Sequence, residues 1–233
     1  MTFYKLVAGK PAMILAAALL IAPMCAAQAA TTAGEVETVK GTASAQSGTE
    51  TARTLEKGAN FFVSDVIRTE SNSAAKLKFA DETVFFLGEE SELSVEKFSY
   101  QDPAQENSLS SRIVKGTFRF VSGLIASEQP EAMEVNTSVA TIGIRGTNVA
   151  GKADATSATV ILLEPEGDPT PTSIVVANQY GSVSINQPGY GTEVPDQFSP
   201  PSPPRRMKLE IVNSIMRSLQ SVQRINIPQP RIR

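Results

Sequence analysis

Between residues 35 and 185 the chain shows no helical periodicity: apolar and polar residues alternate in short stretches, each closed by Gly, Asn, Asp, Ser or Pro. Val36, Leu77, Phe79, Leu93, Val95, Phe118, Phe120, Val183 and Ile185 fall on the apolar phase. Successive side chains of a strand point to opposite faces, so this period of two puts one face in a core and the other in water. Residues 84–87 and 174–177 are apolar without interruption, which suits strands covered on both faces. Turn signals recur about every 8 to 12 residues, which fits about ten or more strands. The expected fold is therefore all-β: a short-strand β-sandwich or a β-solenoid-like domain, with a partly open barrel as the third way to bury sheet faces against each other. Periodicity alone leaves these open.

The punctuation divides the chain. Residues 103–107 separate two strand groups, 164–171 form an acidic loop stiffened by proline, and 195–204 form a Pro/Ser linker. Consecutive prolines favour an extended polyproline conformation and cannot donate to a ladder, so the chain is expected to leave the β domain near Gln197. Before the domain, Lys5 and Lys10 precede the apolar run 12–22, and Ala27-Gln28-Ala29 gives a small-x-small cleavage pattern ahead of Ala30. That is the pattern of a signal peptide cleaved between Ala29 and Ala30, implying a periplasmic or secreted protein. The apolar run falls short of the ~20 residues that span a bilayer; an uncleaved signal helix kept as an anchor stays open. The organisation expected is a signal peptide over 1–29, a β domain over 30–194, the linker over 195–204 and a basic amphipathic helix and tail over 205–233.

In the tail, Met207, Ile211, Val212, Ile215, Leu219 and Val222 recur at three- and four-residue intervals, which predicts an amphipathic helix over about 204–223. Arg205, Arg206, Lys208 and Arg217 lie among its polar positions. Such a helix needs something to dock on. The charges leave three partners open, because residues 30–204 carry 12 Lys/Arg against 23 Asp/Glu, a net −11, whereas 205–233 carry 7 against 1, a net +6. The helix docks on its own acidic body, on a second helix in a dimer, or peripherally on an anionic membrane. Nucleic acid is not an expected partner, since the acidic body repels a polyanion.

Composition removes most catalytic classes. The chain has no His and no Trp, and its one Cys, Cys25, lies within the signal segment. Ser-His-Asp and Cys-His nucleophile systems are absent, zinc loses its nitrogen and sulfur ligands, and no disulfide forms within the mature chain. Glu89, Glu90 and Glu92 read as a solvated edge, and no metal or cofactor is expected. Ser73-Ala74-Ala75-Lys76 matches the S-x-x-K string of penicillin-binding enzymes, but it leads into an alternating strand where that chemistry needs a helix start. A hydrolase built on carboxylates alone remains open, with Asp65, Asp81 and Asp154 as candidates.

The densest motif is Thr141-Ile142-Gly143-Ile144-Arg145-Gly146-Thr147, a β-branched stretch holding two glycines three residues apart. Glycine inside a strand signals a bulge or a close backbone approach. If alternation holds, Ile142 and Ile144 face the core while Thr141, Arg145 and Thr147 share the other face. Arg145 is expected to be a buried structural arginine satisfying carbonyls or an acidic partner, with ligand binding as the alternative, and Arg119 between Phe118 and Phe120 takes the same reading.

This motif resembles the signature of FecR-type domains, and three further segments stand in the family's order. They are Asp65-Val66-Ile67-Arg68-Thr69 followed by Ser71-Asn72-Ser73-Ala74, then Leu77-Lys78-Phe79-Ala80-Asp81, then a stretch from Lys115 through Gly116 and Arg119 to Gly123. The likeness covers roughly residues 35–190. Glu82 stands where the family often has Gly, which disfavours a tight type I′ hairpin there. Founding members of the family join a cytoplasmic anti-sigma segment and a transmembrane helix to a periplasmic receiver. With ten residues ahead of the apolar region here, the resemblance implies the periplasmic module alone: a non-catalytic interaction module of the cell envelope that binds an envelope protein or glycan. A structural envelope protein without a specific ligand is the alternative.

Overall fold

The computed structural model describes residues 30–165 and 172–223; the expected signal segment 1–29, with Ala29, lies outside them, and the description begins at Ala30. In chain order the strands are β1 Thr32–Lys40, β2 Ala43–Ser47, β3 Arg53–Thr54, β4 Asn60–Phe62, β5 Asp65–Thr69, β6 Ala74–Phe79, β7 Val84–Leu87, β8 Glu92–Ser99 and β9 Ser108–Val121. After the short helix α1 (Leu124–Glu128) come β10 Met133–Asn136, β11 Thr141–Arg145, β12 Asn148–Ala153 and β13 Ala158–Leu163. The chain ends with β14 Ser173–Asn178, β15 Gly181–Ile185, β16 Tyr190–Val194, β17 Arg205–Arg206 and the helix α2 Leu209–Gln223.

These strands make two sheets. One, the helix-side sheet, runs β4-β1-β6-β7-β9-β12-β13-β16-β17. The other, the open sheet, runs β3-β2-β5-β8-β9-β10-β11-β14-β15. Of these pairings β9 with β10 is parallel and the others are antiparallel. Stacked solenoid coils pair in parallel, so the architecture is a sandwich.

β9 serves both sheets. Its first half pairs with β8 and β10 in the open sheet, and from Gly116 onward it pairs with β7 and β12 in the helix-side sheet. Gly116 sits at the switch with φ +103, and a Cβ there would lie 2.4 Å from the Ser91 Cα. Only glycine fits such a bend without displacing a neighbouring backbone.

The core between the sheets contains the residues the alternation assigned to it: Val36, Leu77, Phe79, Leu93, Val95, Phe118, Phe120 and Ile185 are buried there, with Val183 packed at its margin. Phe79 of the helix-side sheet meets Phe98 of the open sheet at 5.4 Å between ring centroids, and Phe61, Phe85 and Phe120 extend this aromatic row.

The two apolar runs fare differently. In β7, Phe85 and Leu87 enter the core, while Phe86 and Val84 join a second cluster on the outer face of their sheet. α2 closes that cluster with Ile211, Val212, Ile215, Met216 and Leu219, and Met207 ahead of the helix is buried in it too. The tail helix thus docks on its own body, and its stripe is not free for a membrane. It begins at Leu209, because Arg205 and Arg206 pair with β16 instead. Residues 195–204 are held against the sandwich: the Ser202 N–H donates to the Glu193 carbonyl at 2.9 Å, and Asn178 Nδ2 donates to the Ser199 carbonyl at 2.8 Å. In β14, by contrast, Ile174 and Val176 are buried while Val175 on the opposite face is 42% exposed. Among the described residues no helix is long and apolar enough to cross a membrane.

Candidate interaction face

Most of the motif residues work inside the fold. Asp65 is fully buried and accepts from Arg53 Nη1 at 2.9 Å, from Arg53 Nη2 and from the Phe62 N–H at 2.8 Å. Asp81 occupies the β6–β7 turn, where its carboxylate accepts from the Thr83 N–H at 3.1 Å, the Thr83 hydroxyl at 2.7 Å and the Ile125 N–H at 3.4 Å. Burial pushes the Asp81 carboxyl above its ordinary pKa, against the pull of those hydrogen bonds. The same bonds hold the hairpin in place with Glu82 at φ +69, so the turn forms without the glycine. Asp154 caps the β12–β13 turn. The Thr156 N–H and then the Ser157 hydroxyl hold its pKa down to about 2.

These three carboxylates stand apart, Asp65 at the start of β5 and the other two in separate turns, with their oxygens engaged by the protein, and the structure does not assemble them into one site. Nor does Ser73 face Lys76: its hydroxyl donates to the Ser71 carbonyl and accepts from the Thr42 N–H, while Lys76 pairs with Glu37. Glu89 accepts from the Asn72 N–H and Glu92 pairs with Arg68. Arg119 is buried as expected, with Nε donating to Asn148 Oδ1 at 2.9 Å and its guanidinium 4.9 Å from the Phe86 ring centre.

The densest motif behaves otherwise. Ile142 and Ile144 enter the core, but there is no bulge: β11 pairs in regular register on both sides. Gly146, at φ +49, turns the chain out of the open sheet, and Thr147 is buried where Ser122 Oγ accepts from its N–H at 2.8 Å. Thr147 therefore does not share a face with Arg145, because the strand ends between them. Arg145 is exposed, and its side chain has no hydrogen bond or ion pair among the described residues, which overturns the expectation of a buried structural arginine. It terminates a strand instead of lying within one. Gly143 has no positive φ, and a Cβ there would meet nothing nearer than the Val175 carbonyl oxygen at 3.8 Å. Neither its backbone nor its neighbours require glycine.

Thr141, Gly143 and Arg145 thus lie on the outer face of the open sheet. Toward β8 this face is an ordered polar ladder: Arg112 pairs with Glu96 at 2.6 Å, Ser110 donates to Glu134 at 3.2 Å, and Thr141 donates to Asn136 Oδ1 at 2.6 Å. On its other side Gly143 stands opposite the exposed Val175, followed by Ser184 in β15. A groove of about 460 Å³ opens at one end, lined in part by Arg112, Asn136, Thr141, Asn178 and Phe198. Sequence patterning missed Val175, because an apolar run carries no sign of which face stays bare, and Phe198, because it stands alone in the Pro/Ser segment 195–204.

The family model described as FecR protein matches residues 65–166. Residues 65–166 of the chain are thus similar to a FecR domain. The match runs from β5 through β13 and includes the densest motif, so β14, β15 and α2 are elements that accompany the FecR domain outside it. No curated protein matches the chain. A solved structure from Parabacteroides distasonis, assigned as an anti-sigma factor, superposes with a TM-score of 0.49 at 12% identity over 65% of this chain. The chain covers 64% of that protein's length.

Proposed function

We propose that this chain is an exported, non-catalytic FecR-type module of the bacterial envelope, and that it binds a partner protein on the outer face of the open sheet. The observation that carries this reading is an asymmetry. One sheet has its outer face sealed by α2, while the other leaves bare the face on which Thr141, Gly143 and Arg145 stand. The signal pattern at 1–29 supports export. On this face Glu92 and Glu96 pair with Arg68 and Arg112, and the exposed Lys97 and Arg145 offset Glu134, so the patch escapes the acidity of the body. The Arg145 side chain, without a partner among the described residues, is free to meet a partner's carboxylate, and Gly143 lets another chain approach the backbone of β11.

Affinity capture from envelope extracts with the wild type and an Arg145→Glu variant tests this. The wild type is expected to retain a protein that the variant releases, both melting at the same temperature. Equal retention, or release accompanied by unfolding, sinks the assignment.

A further inference from the structure

The four sheet edges are not alike. The helix-side sheet ends at β4, of 3 residues, and at β17, of 2. The open sheet ends at β3, also of 2 residues, and at β15, of 5. Very short edge strands, charges and prolines are the usual guards against pairing with another chain. β15 has none of them: it reads Gly181-Ser182-Val183-Ser184-Ile185. Among the described residues no backbone hydrogen bond beyond the ladder to β14 involves 181–185, so its outer row of N–H and carbonyl groups is unpaired.

The charge pattern says what fits there. Residues 169–192, 24 in succession, include no Asp, Glu, Lys or Arg, in a chain that is 19% charged. A two-fold contact brings each group near its own copy, so any net charge in it repels itself. Two folded chains, each net −5 over residues 30–233, can approach with least repulsion through this run. We propose that β15 pairs antiparallel with β15 of a second copy of this chain, joining the two open sheets into one.

The strand's own symmetry supplies the register. With Val183 on the two-fold axis all five residues pair, Ser182 faces the copy's Ser184, and Val183 faces Val183. Opposed residues of an antiparallel pair share a face. Val183, packed at the margin of the inter-sheet core, would then close that margin against its copy, while the exposed serines meet on the outer face. Val175, whose strand neighbour is Ser184, and Tyr180 at the hairpin turn, 46% exposed, flank the same seam. This proposal concerns the edge of the sheet and stands or falls apart from the face reading.

Sedimentation equilibrium of the purified chain alone, over a wide concentration range, is the test. The wild type should approach twice its monomer mass. Ser182→Lys with Ser184→Lys sets four like charges across the seam and should leave a monomer throughout, melting like the wild type at dilutions where that too is monomeric, because both serines are exposed. Ser182→Lys with Ser184→Glu sets opposite charges across the axis and should restore the dimer. A wild type that stays monomeric at every concentration overturns the proposal, and so does a dimer indifferent to the paired lysines.

Discussion

Three glycines separate what the fold needs from what the face offers. Replacing Gly116 by Ala puts a Cβ 2.1 Å from Ser91 Oγ and 2.5 Å from Ser91 Cβ, at φ +103. Backbone strain of about 1–3 kcal/mol and overpacking of similar size give a loss of about 2–6 kcal/mol. At about 2–4 °C per kcal/mol for a chain of this length, Tm should fall by about 5–20 °C. Gly146→Ala meets no atom within 4 Å, so its φ of +49 alone acts, at a cost of about 1–2 kcal/mol. Gly143→Ala meets ordinary van der Waals distances without a left-handed backbone. It should therefore stabilise by about 0.5–1 kcal/mol, the usual gain over glycine inside a strand. The order of Tm expected is Gly143→Ala above wild type, then Gly146→Ala, then Gly116→Ala. The assay is thermal and urea unfolding followed by far-ultraviolet circular dichroism, since the chain has no Trp to report by fluorescence. A Gly143→Ala protein that melts as low as Gly146→Ala would refute the claim that Gly143 is kept for access.

Two further outcomes follow from the packing. Leu219→Ala removes a fully buried side chain from the cluster under α2 and should cost about 2–5 kcal/mol in a protein of unchanged mass; a melting curve like that of the wild type would show that the helix is not part of the fold. Asp154, held at about 2 in the folded chain, favours folding above its ordinary value of 3.8, and that contribution is lost as pH falls toward 2. Asp154→Ala should accordingly melt slightly lower at neutral pH and converge with the wild type near pH 2, the effect staying small because the turn is exposed; a constant difference across that range would mean that its carboxylate charge is not what matters.

The alternation was legible because a half-buried strand has to write it: Leu77 and Phe79 went inward, and so did Ile142 and Ile144. The C-terminal helix was legible for the same reason, at a period of 3.6. What local patterning does not encode is which neighbour covers a face. Val84 and Phe86 in β7 and Val175 in β14 sit in equally apolar runs, yet α2 lies over the first two and Val175 is exposed. Arg145 was misjudged because the stretch 139–149 reads as one strand, whereas Gly146 divides it between two sheets. Once the strand ends there, nothing obliges the arginine to be buried. Gly116, Asp65 and Asp81 look like site residues in the sequence, and their bend, ion pair and turn are visible only when Ser91, Arg53 and Ile125 arrive from elsewhere in the chain.

The central claim is that the open sheet presents the working face and α2 covers the other. A photo-crosslinking residue placed at Val175, and in a separate protein at Leu209, which is 72% exposed on the helix side, tests it in the envelope of living cells. A discrete adduct from position 175, of a mass other than twice that of the chain, with none from position 209, is the result expected. Adducts from 209 alone, or the same adducts from both positions, would contradict it.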